Sequence, residues 1–248
     1  MKKISTLMPL LLYVFFALTG CSDHDKYEIE SYDEESRIIV ENSETTLSGE
    51  LIVKEKKFSF EGNDIMLLDV TNETNEACSI TVNASFFDKS GAVLTTEAQT
   101  FDQFYPGYQN YFIFEPKIPF ADFKYTISTE PYTGACYSKN FEMTLYEICE
   151  DERWPVDNEM KELQHAILGT VKTKNTGQEN VYYECRWLLL SSEGEIVRII
   201  TSHSSVNAGI EDYFSVPLYC APHEEFVYPE ELKGEVQFLV ALKSIRKN

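Results

Sequence analysis

Residues 79–88 read Ser-Ile-Thr-Val-Asn-Ala-Ser-Phe-Phe-Asp, in which apolar and polar side chains alternate. The apolar positions are Ile80, Val82, Ala84 and Phe86. A period of two is typical of a β-strand with one buried and one solvated face. The same phase recurs in the second half of the chain, at Tyr183, Cys185, Trp187 and Leu189. This strand pattern therefore occurs twice.

The turns that surround the strand are repeated in the same order. Gly91 follows the first copy and Gly194 the second. Pro106-Gly107 and Ala208-Gly209 each precede an aromatic strand. Short strands separated by Gly, Asn and Pro turns are typical of antiparallel sandwiches, and two copies of about 100 residues indicate a tandem. We predict an all-β fold of two tandem immunoglobulin-like antiparallel β-sandwiches.

The two predicted domains are residues 37–149 and residues 150–248. The segment from Glu150 to Asn158 is polar and interrupted by Pro155, which is typical of a domain junction. The strand at 141–148 can close the first domain or open the second. The sequence thus limits the boundary to residues 140–158.

A family resemblance rests on three segments of the first copy. Val70 to Thr74 ends a strand as Val-x-Asn-x-Thr, Ala84 to Gly91 holds the alternating strand with its aromatic-Asp pair, and Pro106 to Phe114 holds the Pro-Gly turn. This order resembles FxLyD-type lipoprotein domains. In the second copy, Ser191 stands where the pattern has Asp. The resemblance implies a sandwich fold and no catalytic residues.

The N-terminus has the pattern of an export signal. Lys2 and Lys3 precede an apolar run from Leu7 to Leu18. This run is shorter than the roughly 20 residues that a membrane-spanning helix needs, so residues 1–20 are predicted to be a signal peptide.

Leu18-Thr19-Gly20-Cys21 resembles the lipobox of bacterial lipoproteins, which implies cleavage before Cys21 and lipid on its sulfur. The alternative is an ordinary secretory signal with a chance cysteine. Residues 21–36 are acidic and poor in apolar side chains, so we predict a flexible tether. Its Ser22-Asp23 start resembles the acidic export signal of some Bacteroidetes lipoproteins. These features predict a bacterial cell-envelope protein, lipid-anchored in the outer membrane, facing either the periplasm or the cell surface.

Charge and cysteine content narrow the function further. A formal net charge of −20 disfavours binding to nucleic acid. Besides Cys21, five cysteines remain, an odd number, so at least one is unpaired within the chain. We predict Cys136–Cys149 as the most favoured disulfide. No Cys-x-x-Cys pair or clustered histidine indicates a metal site, and we predict no metal and no cofactor.

The chain lacks a nucleophile elbow, a zinc-protease motif and a phosphate loop, so we predict that it is not an enzyme. Aromatic loop residues are the candidate binding site: Phe101, Phe104, Tyr105, Tyr108, Tyr132 and Tyr137. Such rings can stack on sugars or anchor a protein partner, or else fill the ends of the sandwiches. We therefore predict a non-catalytic binding or scaffolding module with an envelope protein as partner. A surface glycan-binding lipoprotein is the alternative.

The anchor can be tested directly. We expect Cys21→Ala to release the protein from membranes, because acyl chains contribute about 0.8 kcal/mol per buried methylene and no lipid can attach to alanine. Fractionation after a high-salt wash, with palmitate labelling, measures this release. Ser22→Ala is the matched control and should stay in the membrane fraction. A Cys21→Ala protein that still sediments with lipid would contradict the lipid anchor.

Overall fold

The structure, a computed structural model, describes residues 35–41, 47–155 and 163–248. Within these ranges the chain forms thirteen β-strands and three short 3-10 helices, without an α-helix, and they all belong to one compact unit. The predicted all-β antiparallel fold is confirmed. The predicted signal peptide, Cys21 and nearly all of the tether lie outside the described residues. Among the described residues, no helical segment has the length and apolarity that crossing a bilayer requires.

The first half of the chain forms two antiparallel sheets. Sheet I has the order β1-β2-β3-β6, with strands at Glu35–Glu41, Ser48–Phe60, Asn63–Thr74 and Gln109–Phe114. Sheet II has the order β5-β4-β7, with strands at Val93–Phe104, Cys78–Phe87 and Asp122–Pro131. The sheets pack against each other through their apolar faces. The four predicted apolar positions of β4 lie in this contact and are fully buried. A ring contact of 6.3 Å between Phe114 of sheet I and Phe123 of sheet II spans the core.

The second half repeats this arrangement. Sheet III has the order β12-β9-β8, with strands at Glu211–Ala221, Leu163–Asn175 and Phe141–Pro155. Sheet IV has the order β11-β10-β13, with strands at Ile196–Val206, Val181–Leu190 and Gln237–Lys247. Phe141 of sheet III contacts Tyr183 of sheet IV, with 4.8 Å between the ring centroids. Each half of the chain is thus a sandwich of two sheets.

The two halves match strand for strand. The order β2-β3-β6 corresponds to β8-β9-β12, and β5-β4-β7 corresponds to β11-β10-β13, so β1 is an addition to the first copy. Strand β8 pairs with β9 along most of its length and crosses the boundary predicted between residues 149 and 150. The pairings therefore divide the chain between Pro131 and Phe141. The strand that the sequence left ambiguous opens the second sandwich.

A buried asparagine links the two sheets in each copy. The side-chain Oδ1 of Asn72 accepts the backbone N–H of Thr74 at 2.8 Å, and its Nδ2 donates to the carbonyl of Phe104. Asn175 repeats both bonds with Gly177 N–H at 2.9 Å and the Val206 carbonyl at 3.2 Å. A buried amide that satisfies backbone groups of a turn and of a facing strand fixes the end of the sandwich.

The turn after the central strand is also conserved in geometry between the copies. Asp88 Oδ1 accepts the backbone N–H groups of Ser90 and Ala92, at 2.8 and 2.9 Å. Ser191 Oγ accepts the equivalent groups of Glu193 and Glu195, at 3.2 and 3.3 Å. A serine hydroxyl can replace the aspartate carboxylate, because both groups accept hydrogen bonds from the backbone N–H groups of the turn that follows. The departure from the aromatic-Asp pattern at Ser191 therefore leaves the turn intact.

The outer face of sheet I packs against the outer face of sheet IV. The buried side chains at the centre of this contact are 0–8% exposed. They are Phe58, Ile65, Leu67 and Ile113 from sheet I and Leu188, Leu190, Ile196, Leu239 and Ala241 from sheet IV. Burial of each large aliphatic or aromatic side chain contributes about 1.5–3 kcal/mol. The two sandwiches are therefore joined by a second apolar layer besides their own cores.

Beside this layer, side-chain amides form hydrogen bonds with the backbone of strand β13. Asn110 on edge strand β6 makes two bonds of 2.9 Å to edge strand β13, from its Nδ2 to the Leu242 carbonyl and from Leu242 N–H to its Oδ1. Gln103 Nε2 donates to the carbonyl of Ile245. These bonds satisfy edge groups that would otherwise be buried without partners.

The contact between the sandwiches can be tested with two residues at equivalent positions. Ile196 pairs with Leu190 as Val93 pairs with Phe87, but Ile196 is 8% exposed and Val93 58%. We expect Ile196→Ala to lower the free energy of unfolding by about 2–4 kcal/mol. Val93→Ala, the control, should change it by less than about 0.5 kcal/mol. Urea unfolding measures both, and equal effects would contradict the buried contact.

Candidate functional site

A cleft of about 470 Å³ lies beside the contact between the two sandwiches. Its walls come from edge strands β5 and β6 of the first sandwich and from β10 and β13 of the second. Glu97 and Gln99 of β5 face this space, together with Tyr111 of β6, Arg186 of β10 and Lys243 of β13. The volume and the position between two domains are those typical of ligand sites.

An ion pair fixes one wall of the cleft. Arg186 Nη2 lies 2.7 Å from Glu115 Oε2, and the two side chains are 15% and 23% exposed. Arg186 Nη1 also donates to the Ile113 carbonyl at 3.4 Å. Charge-assisted bonds of this length are strong when they are shielded from water. The pair joins the second sandwich to the end of β6 and holds the guanidinium in place.

Gln99 forms part of the opposite wall. Its Nε2 donates to the Ile113 carbonyl at 2.7 Å, so this edge carbonyl of β6 accepts from both walls. The bond holds β5 against β6 at the open side of the first sandwich. Ile113 and its neighbours on β6 therefore form the floor of the cleft, and the two hydrogen bonds to the Ile113 carbonyl hold this floor in place.

Two further charges line the cleft. Burial raises the pKa of Glu97, Arg186 opposes this shift and Glu115 adds to it. Lys243 is exposed on β13. Within the described residues, neither Glu97 nor Lys243 forms a salt bridge. The cleft therefore presents one acidic and one basic group that a ligand can contact.

The aromatic residues predicted as a binding site lie mostly inside the first sandwich. Phe101 and Phe104 are 2% and 0% exposed and belong to the core, which corrects their prediction as ligand contacts. Tyr108 packs against both rings, with centroids 5.8 and 5.9 Å away. Tyr105 is half-buried and lies 4.7 Å from Tyr108. The rings fill the end of the sandwich, as the alternative interpretation held.

Tyr132 and Tyr137 are also half-buried. The Tyr132 hydroxyl donates to the Ala135 carbonyl at 3.5 Å, and Tyr137 packs against the core. Tyr132 interacts electrostatically with Cys136 and Tyr137, and Tyr105 also interacts with Cys136, so all three tyrosines lie near this cysteine. The exposed parts of Tyr132 and Tyr137 therefore remain predicted ligand contacts.

The five described cysteines are free thiols. The predicted disulfide between Cys136 and Cys149 is therefore absent from the structure. Cys78 and Cys185 are buried, and burial raises the pKa of each thiol to about 11, so both stay protonated at neutral pH. Among the described residues, no group of three or more His, Cys, Asp or Glu side chains is placed to hold a metal ion.

The sequence did not point to the cleft. Glu97, Gln99 and Lys243 belong to ordinary alternating strands, and nothing in their spacing joins them. Arg186 offered one signal, because it is the one basic residue in the strand Val-Tyr-Tyr-Glu-Cys-Arg-Trp-Leu-Leu-Leu. A cation in so apolar a strand requires a partner, but only the fold shows that the partner is Glu115.

Comparison with known proteins does not assign a family. No protein-family model matches the chain, and no curated protein matches it. Among solved structures, the N-terminal CBM22-1-CBM22-2 tandem domain of Xyn10C from Paenibacillus barcinonensis aligns at 9% identity and a TM-score of 0.13. The alignment covers 88% of this chain and 96% of that one. A TM-score this low carries no argument, and the FxLyD resemblance stays a prediction from sequence.

The raised pKa of Glu97 predicts a pH dependence of stability. A carboxyl whose pKa is higher in the folded state favours folding at low pH, and this contribution is lost as the pH rises through the folded value. We expect Glu97→Gln to gain stability relative to the wild type as the pH rises above the ordinary pKa of a glutamate, because glutamine does not have to ionise in the half-buried position. Chemical unfolding at several pH values measures the difference. Glu130→Gln controls for the loss of one charge, and a flat or falling difference would contradict the burial of Glu97.

Proposed function

We propose that this chain is a lipid-anchored bacterial lipoprotein whose folded part is a non-catalytic binding or scaffolding module of the cell envelope. Cys21 carries the lipid and the acidic tether holds the folded unit away from the membrane. The outer membrane is the proposed location, with the module in the periplasm or at the cell surface. Its partner is an envelope protein or another envelope component.

The cleft between the sandwiches is the observation that carries this proposal. It is concave, it lies where two domains meet, and Glu97 and Lys243 face it without a salt bridge inside the described chain. An acid and a base on facing strands favour a ligand that carries both kinds of charge or several hydrogen-bonding groups. The described thiols of Cys78 and Cys185 lie in the cores and take no part.

Rigidity supports a scaffolding role. The apolar layer and the Asn110 bonds hold both walls of the cleft at a fixed separation. A binding surface that is already ordered loses less conformational entropy when a partner docks. The module can therefore present a partner in one orientation relative to the membrane.

Site-specific photo-crosslinking in cells tests the proposal. A crosslinking amino acid at Lys243 should capture a partner in the cleft, and the product should fall at least about tenfold when Glu97→Lys is introduced. Thr126, exposed on β7 of sheet II, is the control position for the crosslinker. Equal products from Lys243 and Thr126, or no effect of Glu97→Lys, would contradict a binding role for the cleft.

A further inference from the structure

Two tyrosines stand out on the outer face of sheet III, away from the cleft. Tyr146 is 59% exposed and Tyr213 is 47% exposed. Among the described residues, they are the two aromatic side chains in the set of large hydrophobic residues that remain exposed. They lie on the two edge strands β8 and β12, and their rings meet across the central strand β9, with centroids 5.2 Å apart. Exposed aromatic pairs of this kind mark interaction sites.

Local structure positions both rings. Tyr146 lies where the register of β8 shifts between Leu145 and Glu147, and such a bulge turns a side chain to a new direction. The hydroxyl of Tyr213 donates to Glu211 Oε2 at 3.4 Å, and Glu211 pairs with Lys174 at 3.4 Å. The rings cross at 78°, so one presents its flat face where the other presents its edge.

Polar groups accompany the rings on this face. The hydroxyls of Thr170 and Ser215 lie 3.1 Å apart on adjacent strands. Lys172 is in register with Tyr213 and supplies an amine beside its ring. Thr170 itself is only 9% exposed, so this face offers a ligand the exposed aromatic pair, the exposed hydroxyl of Ser215 and the amine of Lys172, which can donate three hydrogen bonds.

The repeat supplies an internal comparison for what this face can bind. In the first copy the equivalent face, on sheet I, packs against protein. The strand registers align Leu67 and Ile113 there with Thr170 and Ser215 here. A face built to bury another sandwich is aliphatic, whereas this one has hydroxyls in the same positions. It lacks the aliphatic side chains through which sheet I packs against protein, and its polar groups can bond to a flat, hydroxylated ligand.

We propose that the outer face of sheet III binds a glycan chain, with Tyr146 and Tyr213 as the stacking residues. The apolar C–H face of a pyranose ring packs on the electron-rich face of tyrosine, while its hydroxyls bond to Ser215 and Lys172. This site is separate from the cleft and does not depend on the partner proposed there. It also differs from the loop rings around Tyr105 that the sequence indicated.

Affinity electrophoresis and a glycan array test this site with the folded chain. The soluble probes are mixed-linkage β-glucan, starch, yeast mannan and pectin. We expect at least one probe or array glycan to bind, and Tyr146→Ala and Tyr213→Ala each to weaken that binding at least about tenfold. Tyr213→Phe, which keeps the ring, should stay within about threefold of the wild type.

Tyr105→Ala is the matched control, because it removes a tyrosine from the loop that the sequence indicated. Unchanged binding in Tyr105→Ala, with loss in both sheet III variants, supports the proposal. Absence of binding to all probes and array glycans would overturn it, as would binding that depends on Tyr105 alone. Sedimentation velocity adds a further check: self-association of the wild type that Tyr213→Ala abolishes would show a protein interface and overturn the glycan site.

Discussion

The apolar contact between the outer faces of sheets I and IV determines the rest of the architecture. It buries Leu67 and Leu188 as completely as the core of either sandwich. This layer adds to a core cluster that already includes buried residues of both sandwiches, and the described chain forms one compact unit. The hydrogen bonds of Asn110 and Arg186 need the same arrangement, in which β6 lies next to β13 and β10. The cleft is a consequence of the same contact, since its walls belong to different sandwiches.

Most of the fold could be predicted from sequence, because its signals are local. Alternation from Ile80 to Phe86 and from Tyr183 to Leu189 identified the central strands, and repeated turn residues identified the duplication. The contact between the sandwiches could not be predicted in this way. Leu188 and Leu190 are apolar where alternation demands polar side chains, but an extra apolar residue does not reveal which surface covers it. The polar run from Glu150 was interpreted as a domain junction for a related reason, because it resembles a linker in composition although it belongs to strand β8.

The candidate site was less predictable than the fold. Phe101 and Phe104 were placed in a loop, although both belong to β5 and point into the core, where an aromatic-rich strand end closes the sandwich. Composition reports that rings are plentiful but not which of them remain exposed. Tyr146 and Tyr213 were not distinguished, because they meet only across β9 and the bulge that turns Tyr146 is not visible in the sequence. Sites assembled from several strands depend on register, and register is a property of the folded sheet.

The two sandwiches pack through different faces, the outer face of sheet I on one and the outer face of sheet IV on the other. A contact of this kind could in principle be repeated by adding further sandwiches. A head-to-tail contact between repeats does not close on itself, so a third copy could add at either end and extend the array into a fibre. The side chains at both ends disfavour this addition. Ser85 and Lys124 on sheet II stand where sheet IV has Leu188 and Leu239, and Thr170 and Ser215 on sheet III stand where sheet I has Leu67 and Ile113. Polar outer faces of this kind act as terminal caps in repeat proteins, because they lack the apolar surface that a further sandwich would cover.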